Sequence, residues 1–281
     1  MPKFWIKISL TFILTAIFLG CEGNTNNTVK GHLIIIGGGS PRPAAAMQKF
    51  VELAGGRQAK IAIIPMASEF YLENGRDYEK EFRESGVKKA KAFYLLDSLS
   101  ANADSTVDSL KSYTGFYFGG GDQSRLTTIF RNSRSLALFK QRYAEGAVMG
   151  GTSAGAAIMS KIMITGEGNW NVLEKDSVET IEGFGFLPTA IIDQHFVQRN
   201  RFNRLLSLVI QYRQLGVGID EKTAIWVKPD GEAEVMGNSL VLVLNPRQAA
   251  YPDSIHSNLL TAKNIQLNVY QAGETFQIPT P

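Results

Sequence analysis

The chain has 281 residues, 44% of them hydrophobic, and a formal net charge of +3 at pH 7. That length and apolar content support one well-buried α/β domain and exclude a disordered, collagen-like or coiled-coil chain. Without Lys3 and Lys7 the charge is +1, which is no signature of a nucleic-acid binder.

The first twenty residues read as an export signal. Met1–Lys7 carries two lysines and no acid, Ile8–Leu19 is almost wholly apolar, and Gly20-Cys21 leads into the polar tract Glu22–Thr28. A basic start, a short apolar stretch and a small residue are the parts of such a signal. The apolar run falls short of the roughly 20 residues a membrane span needs. Cys21, the only cysteine of the chain, sits at the expected cleavage junction. This resembles a bacterial lipoprotein signal, in which that cysteine is lipidated and becomes the new N-terminus. The expected organisation is a signal over 1–20, a polar tether over 21–30 and a single catalytic α/β domain over 31–281. That domain would be held on a membrane outside the cytoplasm, facing the periplasm or the exterior. The folded part then has no cysteine, which excludes an internal disulfide, a cysteine metal site and a cysteine nucleophile.

In chain order, Leu33–Ile36 is a short apolar strand ended by Gly37-Gly38-Gly39-Ser40, with a helix over Pro41–Leu53. The glycines lack G-x-G-x-x-G spacing and a P-loop lysine, so they read as a chain reversal near a site floor rather than a nucleotide cradle. Lys60–Pro65 is a second strand, Tyr71–Ser85 an amphipathic helix and Ala90–Leu95 a third strand. Gly115–Phe118 is a fourth strand. Gly119-Gly120-Gly121-Asp122-Gln123 follows it, then helices over Ser124–Phe130 and Ser135–Tyr143. Residues Lys161–Phe186 read as irregular loops. Thr189–Ile192 is a strand, Val197–Tyr212 a helix, and Thr223–Val227 another strand. Glu232–Met236, Leu240–Leu244 and Ile265–Tyr270 form an antiparallel C-terminal extension. Repeated strand-then-helix units predict a three-layer, mostly parallel sheet covered by helices on both faces. The glycine-rich turns at 37–39, 119–121 and 150–155 all fall at carboxyl ends of strands, where such sheets bind ligands.

The last of these turns carries the chemistry. Gly151-Thr152-Ser153-Ala154-Gly155 lies between the apolar run Ala147-Val148-Met149 and a run of helix formers. A glycine-flanked serine at a strand-to-helix junction is a nucleophile elbow. The tight turn exposes the hydroxyl, and the Ala154 N–H supplies half of an oxyanion hole. A base is needed, and the chain has 3 histidines. His32 precedes a strand, at the wrong end for a site. His256 lies in a late polar loop. His195 directly follows a strand and is preferred. For the acid that orients it, Asp193, Asp220 and Glu221 stand open on the residues alone. The chain order of serine, then His195, then Glu221 differs from the serine, acid, histidine order of α/β-hydrolases.

Four segments together resemble one family: Gly119–Gln123, Gly151–Ala156, Asp193-Gln194-His195-Phe196 and Gly218-Ile219-Asp220-Glu221-Lys222-Thr223-Ala224. They are similar to the serine peptidases related to dipeptidase E and cyanophycinase, closest to the cyanophycinase branch. Those proteins look like class I glutamine amidotransferases, a flavodoxin-like fold, with serine in place of cysteine. The resemblance covers roughly residues 31–245. It implies Ser153 as nucleophile, His195 as base and Glu221 as orienting acid. Ala154 and Gly121 would form the oxyanion hole, and Gln123, Asp193, Gln194 and Arg199 would lie near the charged ends of the substrate. The implied substrate is cyanophycin, a polyaspartate bearing arginines on its side-chain carboxyls, cut to β-Asp-Arg dipeptides without a cofactor or metal. Short Asp-containing peptides are the alternative substrate, and a non-catalytic exported binding protein the alternative function. A homodimer is among the assemblies the sequence allows.

Overall fold

The computed structural model describes residues 1, 2, 29–252 and 258–281. Most of the expected signal, Cys21 and His256 therefore lie outside the described residues. No helix among the described residues is long and apolar enough to cross a membrane.

The chain opens with β1 (Leu33–Ile36), α1 (Ala44–Leu53), β2 (Lys60–Ile64), α2 (Tyr71–Glu84) and β3 (Lys89–Ala92). Two short helices, α3 (Ser98–Asn102) and α4 (Asp104–Leu110), precede β4 (Gly115–Phe118). Next come α5 (Gln123–Phe130), α6 (Arg134–Glu145), β5 (Val148–Thr152) and α7 (Ala154–Ala157). The second half holds β6 (Ile162–Gly168), β7 (Val178–Glu182), β8 (Ala190–Gln194), α8 (Phe202–Tyr212), β9 (Leu215–Ile219) and β10 (Thr223–Val227). It closes with β11 (Glu232–Gly237), β12 (Val241–Asn245), β13 (Gln266–Tyr270) and β14 (Thr275–Gln277).

The main sheet has eight strands in the order β14-β11-β10-β1-β5-β4-β2-β3. From β1 to β3 every pairing is parallel. The three strands beyond β1 are antiparallel. All four residues of β1 are buried, because both faces of the sheet are covered. Side chains of a strand alternate between faces. Leu33 and Ile35 accordingly join the core under α5, α6 and α7 with Phe118, Phe130 and Phe139. Ile34 and Ile36 join the opposite core under α1 and α2 with Phe50 and Phe82. This is the three-layer, mostly parallel architecture expected.

Two details differ from the sequence reading. The C-terminal strands do not extend a single sheet. β12 and β13 pair with β9 and β8 in a second sheet of order β13-β12-β9-β8, whose outer side is filled by α8 through Leu205, Leu208 and Val209. Residues 161–186 are not irregular throughout. They contain the antiparallel hairpin β6–β7, hidden from a periodicity reading by Gly166 and Gly168 and by a register shift between Ile164 and Gly168. Helix starts also move. α1 begins at Ala44, after Pro41 and Pro43, and α8 begins at Phe202 rather than Val197.

Candidate active site

Five strand ends meet at one place: β1, β4 and β5 of the main sheet, and β8 and β9 of the second. Residues following each of them build the site. The Ser153 N–H donates to the Ile36 carbonyl at 3.1 Å, the His195 N–H to the Gly37 carbonyl at 2.7 Å and the Lys222 N–H to the Gly38 carbonyl at 2.8 Å. The Gly37-Gly38-Gly39 turn is thus the seat on which the serine, histidine and glutamate segments rest, rather than a phosphate cradle. A Cβ on Gly38, whose φ is +108°, would collide with the His195 ring.

Ser153 sits between β5 and α7 with φ 52° and ψ −109°, outside the basins an L-residue prefers. Its neighbours explain how the chain can turn there. A Cβ on Gly151 would strike the Gly155 carbonyl, and one on Gly155 would strike the Phe118 carbonyl. The two flanking glycines are thus steric requirements of the elbow.

Ser153 Oγ lies 2.9 Å from His195 Nε2. His195 Nδ1 lies 2.5 Å from Glu221 Oε1. The three side chains form one hydrogen-bonded series running from main sheet to second sheet. His195 is buried and itself adopts φ 48°. Burial lowers its pKa below the ordinary 6.5, and the charges of Arg199 and Arg201 push the same way against the opposing pull of Glu221. At neutral pH the imidazole is therefore neutral, able to accept a proton at Nε2 while Nδ1–H donates to Glu221.

The oxyanion candidates flank the serine. Neither the Ala154 N–H nor the Gly121 N–H makes a hydrogen bond among the described residues. Gly120, between β4 and Gly121, lies against the serine: a Cβ there would stand 3.4 Å from Ser153 Cβ. Its own N–H is engaged by the Tyr78 hydroxyl at 3.4 Å.

The remaining expected residues divide. Arg199 is exposed on the turn after His195. Gln194 is buried, and its Oε1 and main-chain carbonyl both accept from the Arg201 guanidinium, at 2.7 and 2.6 Å. Gln123 is buried, and its amide donates to the Ile164 and Thr165 carbonyls at 2.8 and 2.7 Å. It therefore ties α5 to the β6–β7 hairpin. Asp193 departs from the expected substrate role. Its side chain is 0% exposed and forms a two-pronged ion pair with Arg204, whose Nε is 2.7 Å from Oδ2. β8 points Asp193, like Ile191, to the face covered by α8. His195 lies past the end of the strand with φ 48°, so the chain turns there and the two side chains part although they are two residues apart. Asp220 is likewise turned to main-chain groups rather than to His195. Arg201 was not singled out from sequence. Its guanidinium, half-buried and brought to a pKa of about 10 chiefly by burial, lies against Gln194 beside the histidine. The Arg199, Arg201, Arg204 spacing after Asp193-Gln194-His195 was the available signal.

An α/β sheet with a serine elbow at its carboxyl edge, backed by histidine and glutamate, defines a serine-type hydrolase. A family model described as "Peptidase family S51" matches residues 33–235. A cyanophycinase of Synechococcus elongatus is 33% identical over 258 residues, covering 89% of this chain and 80% of the relative. A cyanophycinase of a Nostoc species is 31% identical over 264 residues, covering 92% and 89%. Among solved structures, a peptidase from an acI-B1 Actinobacterium superposes with a TM-score of 0.68 at 21% identity, covering 89% of this chain and 98% of that one. A putative peptidase E protein of Listeria monocytogenes gives 0.53 at 18% identity, over 74% and 99%. These two likenesses speak for the fold. The chain belongs to peptidase family S51 and is a serine-type peptidase.

Proposed function

We propose that this peptidase is an exported serine exopeptidase that hydrolyses cyanophycin to β-Asp-Arg dipeptides. The observation that carries the chemistry is the unbroken series Ser153–His195–Glu221, with links of 2.9 and 2.5 Å. The substrate reading is supported by the cyanophycinases to which the chain is similar over most of its length.

In the mechanism, Ser153 Oγ attacks the substrate carbonyl carbon while His195 Nε2 takes the hydroxyl proton. The carbonyl oxygen becomes an oxyanion held by the Ala154 and Gly121 N–H groups, each such donor being worth about 3 kcal/mol in the transition state. Glu221 stabilises the imidazolium and fixes its tautomer. The C–N bond then breaks, and the leaving amine takes the proton from His195. Water repeats the sequence on the acyl-enzyme, releasing the acid and restoring Ser153. Arg199, with Arg201 behind it, gives this side of the site a positive field suited to the carboxylates of the substrate. Gln194 holds Arg201 in place on that side.

The N-terminal sequence supports a lipid anchor at Cys21 and a periplasmic or external location. A homodimer is part of this reading, and sedimentation tests it. Function is tested by incubating the protein with purified cyanophycin, and with α- and β-linked Asp dipeptides, alongside Ser153→Ala, and weighing the products. Serine-dependent release of β-Asp-Arg supports the proposal. Cleavage of the short Asp peptides alone moves the assignment to a dipeptidase, and no serine-dependent cleavage leaves a binding protein.

A further inference from the structure

Asp220 adjoins Glu221 in the chain and is 7% exposed, and its carboxylate accepts three hydrogen bonds, none of them from the imidazole. Oδ1 accepts the main-chain N–H groups of Val197 at 3.1 Å and Gln198 at 2.9 Å. Oδ2 accepts the Ser239 hydroxyl at 2.7 Å. Val197 and Gln198 begin the tight turn that leaves β8. That turn is closed by the Arg199 N–H on the His195 carbonyl at 3.0 Å and the Arg201 N–H on the Phe196 carbonyl at 3.0 Å. The first N–H groups of such a turn have no partner within it. A carboxylate accepting them does what a helix N-cap does, here from a separate segment of the chain. The lock continues on the other side: the Ser239 N–H donates to Thr223 Oγ1 at 2.9 Å, and that hydroxyl donates to the Glu221 carbonyl at 3.2 Å.

We infer that Asp220 is a positioning residue that clamps the turn carrying His195 and Arg199 to the turn carrying Glu221. Both partners of the serine are thereby held by one buried carboxylate. The turn needs such a hold because it contains two non-glycine residues with positive φ, His195 at 48° and Asn200 at 51°, a conformation that persists only where surroundings impose it. The inference rests on reading Ser153, His195 and Glu221 as the catalytic series.

The charged groups acting on the imidazole are Glu221 from the β9–β10 turn and Arg199 and Arg201 from the clamped turn. Releasing the turn lets the two guanidiniums move away, which raises the imidazole pKa. Removing a carboxylate charge alone pushes it the other way, so the direction separates displacement from charge.

The test compares Asp220→Ala, Asp220→Asn and Ser239→Ala, by turnover of the peptide substrate and by the rate at which a fluorophosphonate labels Ser153. Asp220→Ala is expected to lower kcat and labelling about 100-fold, the scale of an ångström of misplacement, with the acid limb of the pH profile moved upward. Asp220→Asn keeps an oxygen for the two N–H groups and an amide that donates to the Ser239 oxygen, so it should remain within about threefold of wild type. An Asp220→Ala protein as fast as wild type, or an Asp220→Asn protein as slow as Asp220→Ala, overturns the clamp. Should the alanine protein not fold, Ser239→Ala still reads it. A loss of about fivefold, typical of one hydrogen bond, supports the clamp, and no loss overturns it. A wild-type protein that neither cleaves nor labels sinks the catalytic series itself, a result distinct from both.

Discussion

His195 works under opposed influences. Burial, Arg199 and Arg201 favour the neutral ring, and Glu221 favours the charged one. Because the balance lies below the ordinary 6.5, the acid limb of kcat/KM is expected below that pH, with activity lost as the imidazole protonates. Replacing Arg199 by alanine removes a positive charge, so the histidine pKa rises and the limb moves to higher pH. A pH–rate profile of the two proteins checks the direction. Gly38 allows an equally sharp test. A methyl there meets the His195 ring, and the φ of +108° is strained for alanine. Gly38→Ala should therefore lose about 100-fold or more in kcat by displacing the base, measured beside a thermal melt. Ser153 and His195 were legible in the sequence because each directly follows an apolar strand in a recognisable turn. Glu221 was separable from Asp193 and Asp220 by family likeness, and geometry explains why. Three acids near the right strand ends have similar local sequence, and only the tertiary path decides which one faces a ring.

At the scale of elements, the strands and long helices were readable because apolar runs and 3.6-residue periodicity report burial directly. The β6–β7 hairpin and the division into two sheets were not. A glycine-rich strand with a bulge loses its alternation, and sheet membership depends on pairings between segments distant in the chain. The fate of Asp193 shows the same limit. A charged residue one position from Gln194 looked like substrate machinery, yet it forms the buried joint between β8 and α8. Arg204, 1% exposed, and Asp193, 0% exposed, leave each other no alternative of equal quality. Replacing Arg204 by alanine would strand a buried carboxylate. It is expected to cost about 3–5 kcal/mol, read from urea unfolding, with Arg201 at 3.8 Å offering only partial relief.

The whole molecule places its chemistry along the join between two sheets. Ser153 follows β5 of the main sheet, His195 follows β8 of the second, and Glu221 lies on the turn that joins β9 of the second sheet to β10 of the main one. Relative movement of the sheets would open the series, and the hydrogen bonds of Gly37 and Gly38 to both sides hold them in register. At this scale the proposed tether also matters. The proposal keeps the enzyme at the cell surface, where it would meet a polymer lying outside the cell. Cys21→Ser is expected to shift the protein from the membrane fraction to the soluble exported fraction while leaving turnover unchanged, since the site is built from residues 37–222. Fractionation with activity assays on both pools reads this.

The proposed chemistry makes Ser153 the nucleophile and His195 the base that activates it. Its most direct measurement is to treat the protein with a fluorophosphonate and locate the covalent mass by peptide mapping, beside His195→Ala. One adduct is expected, on the peptide containing Ser153, formed rapidly by the wild type and far more slowly without the imidazole. An adduct on another residue, or labelling of Ser153 at an equal rate in the His195→Ala protein, would contradict it.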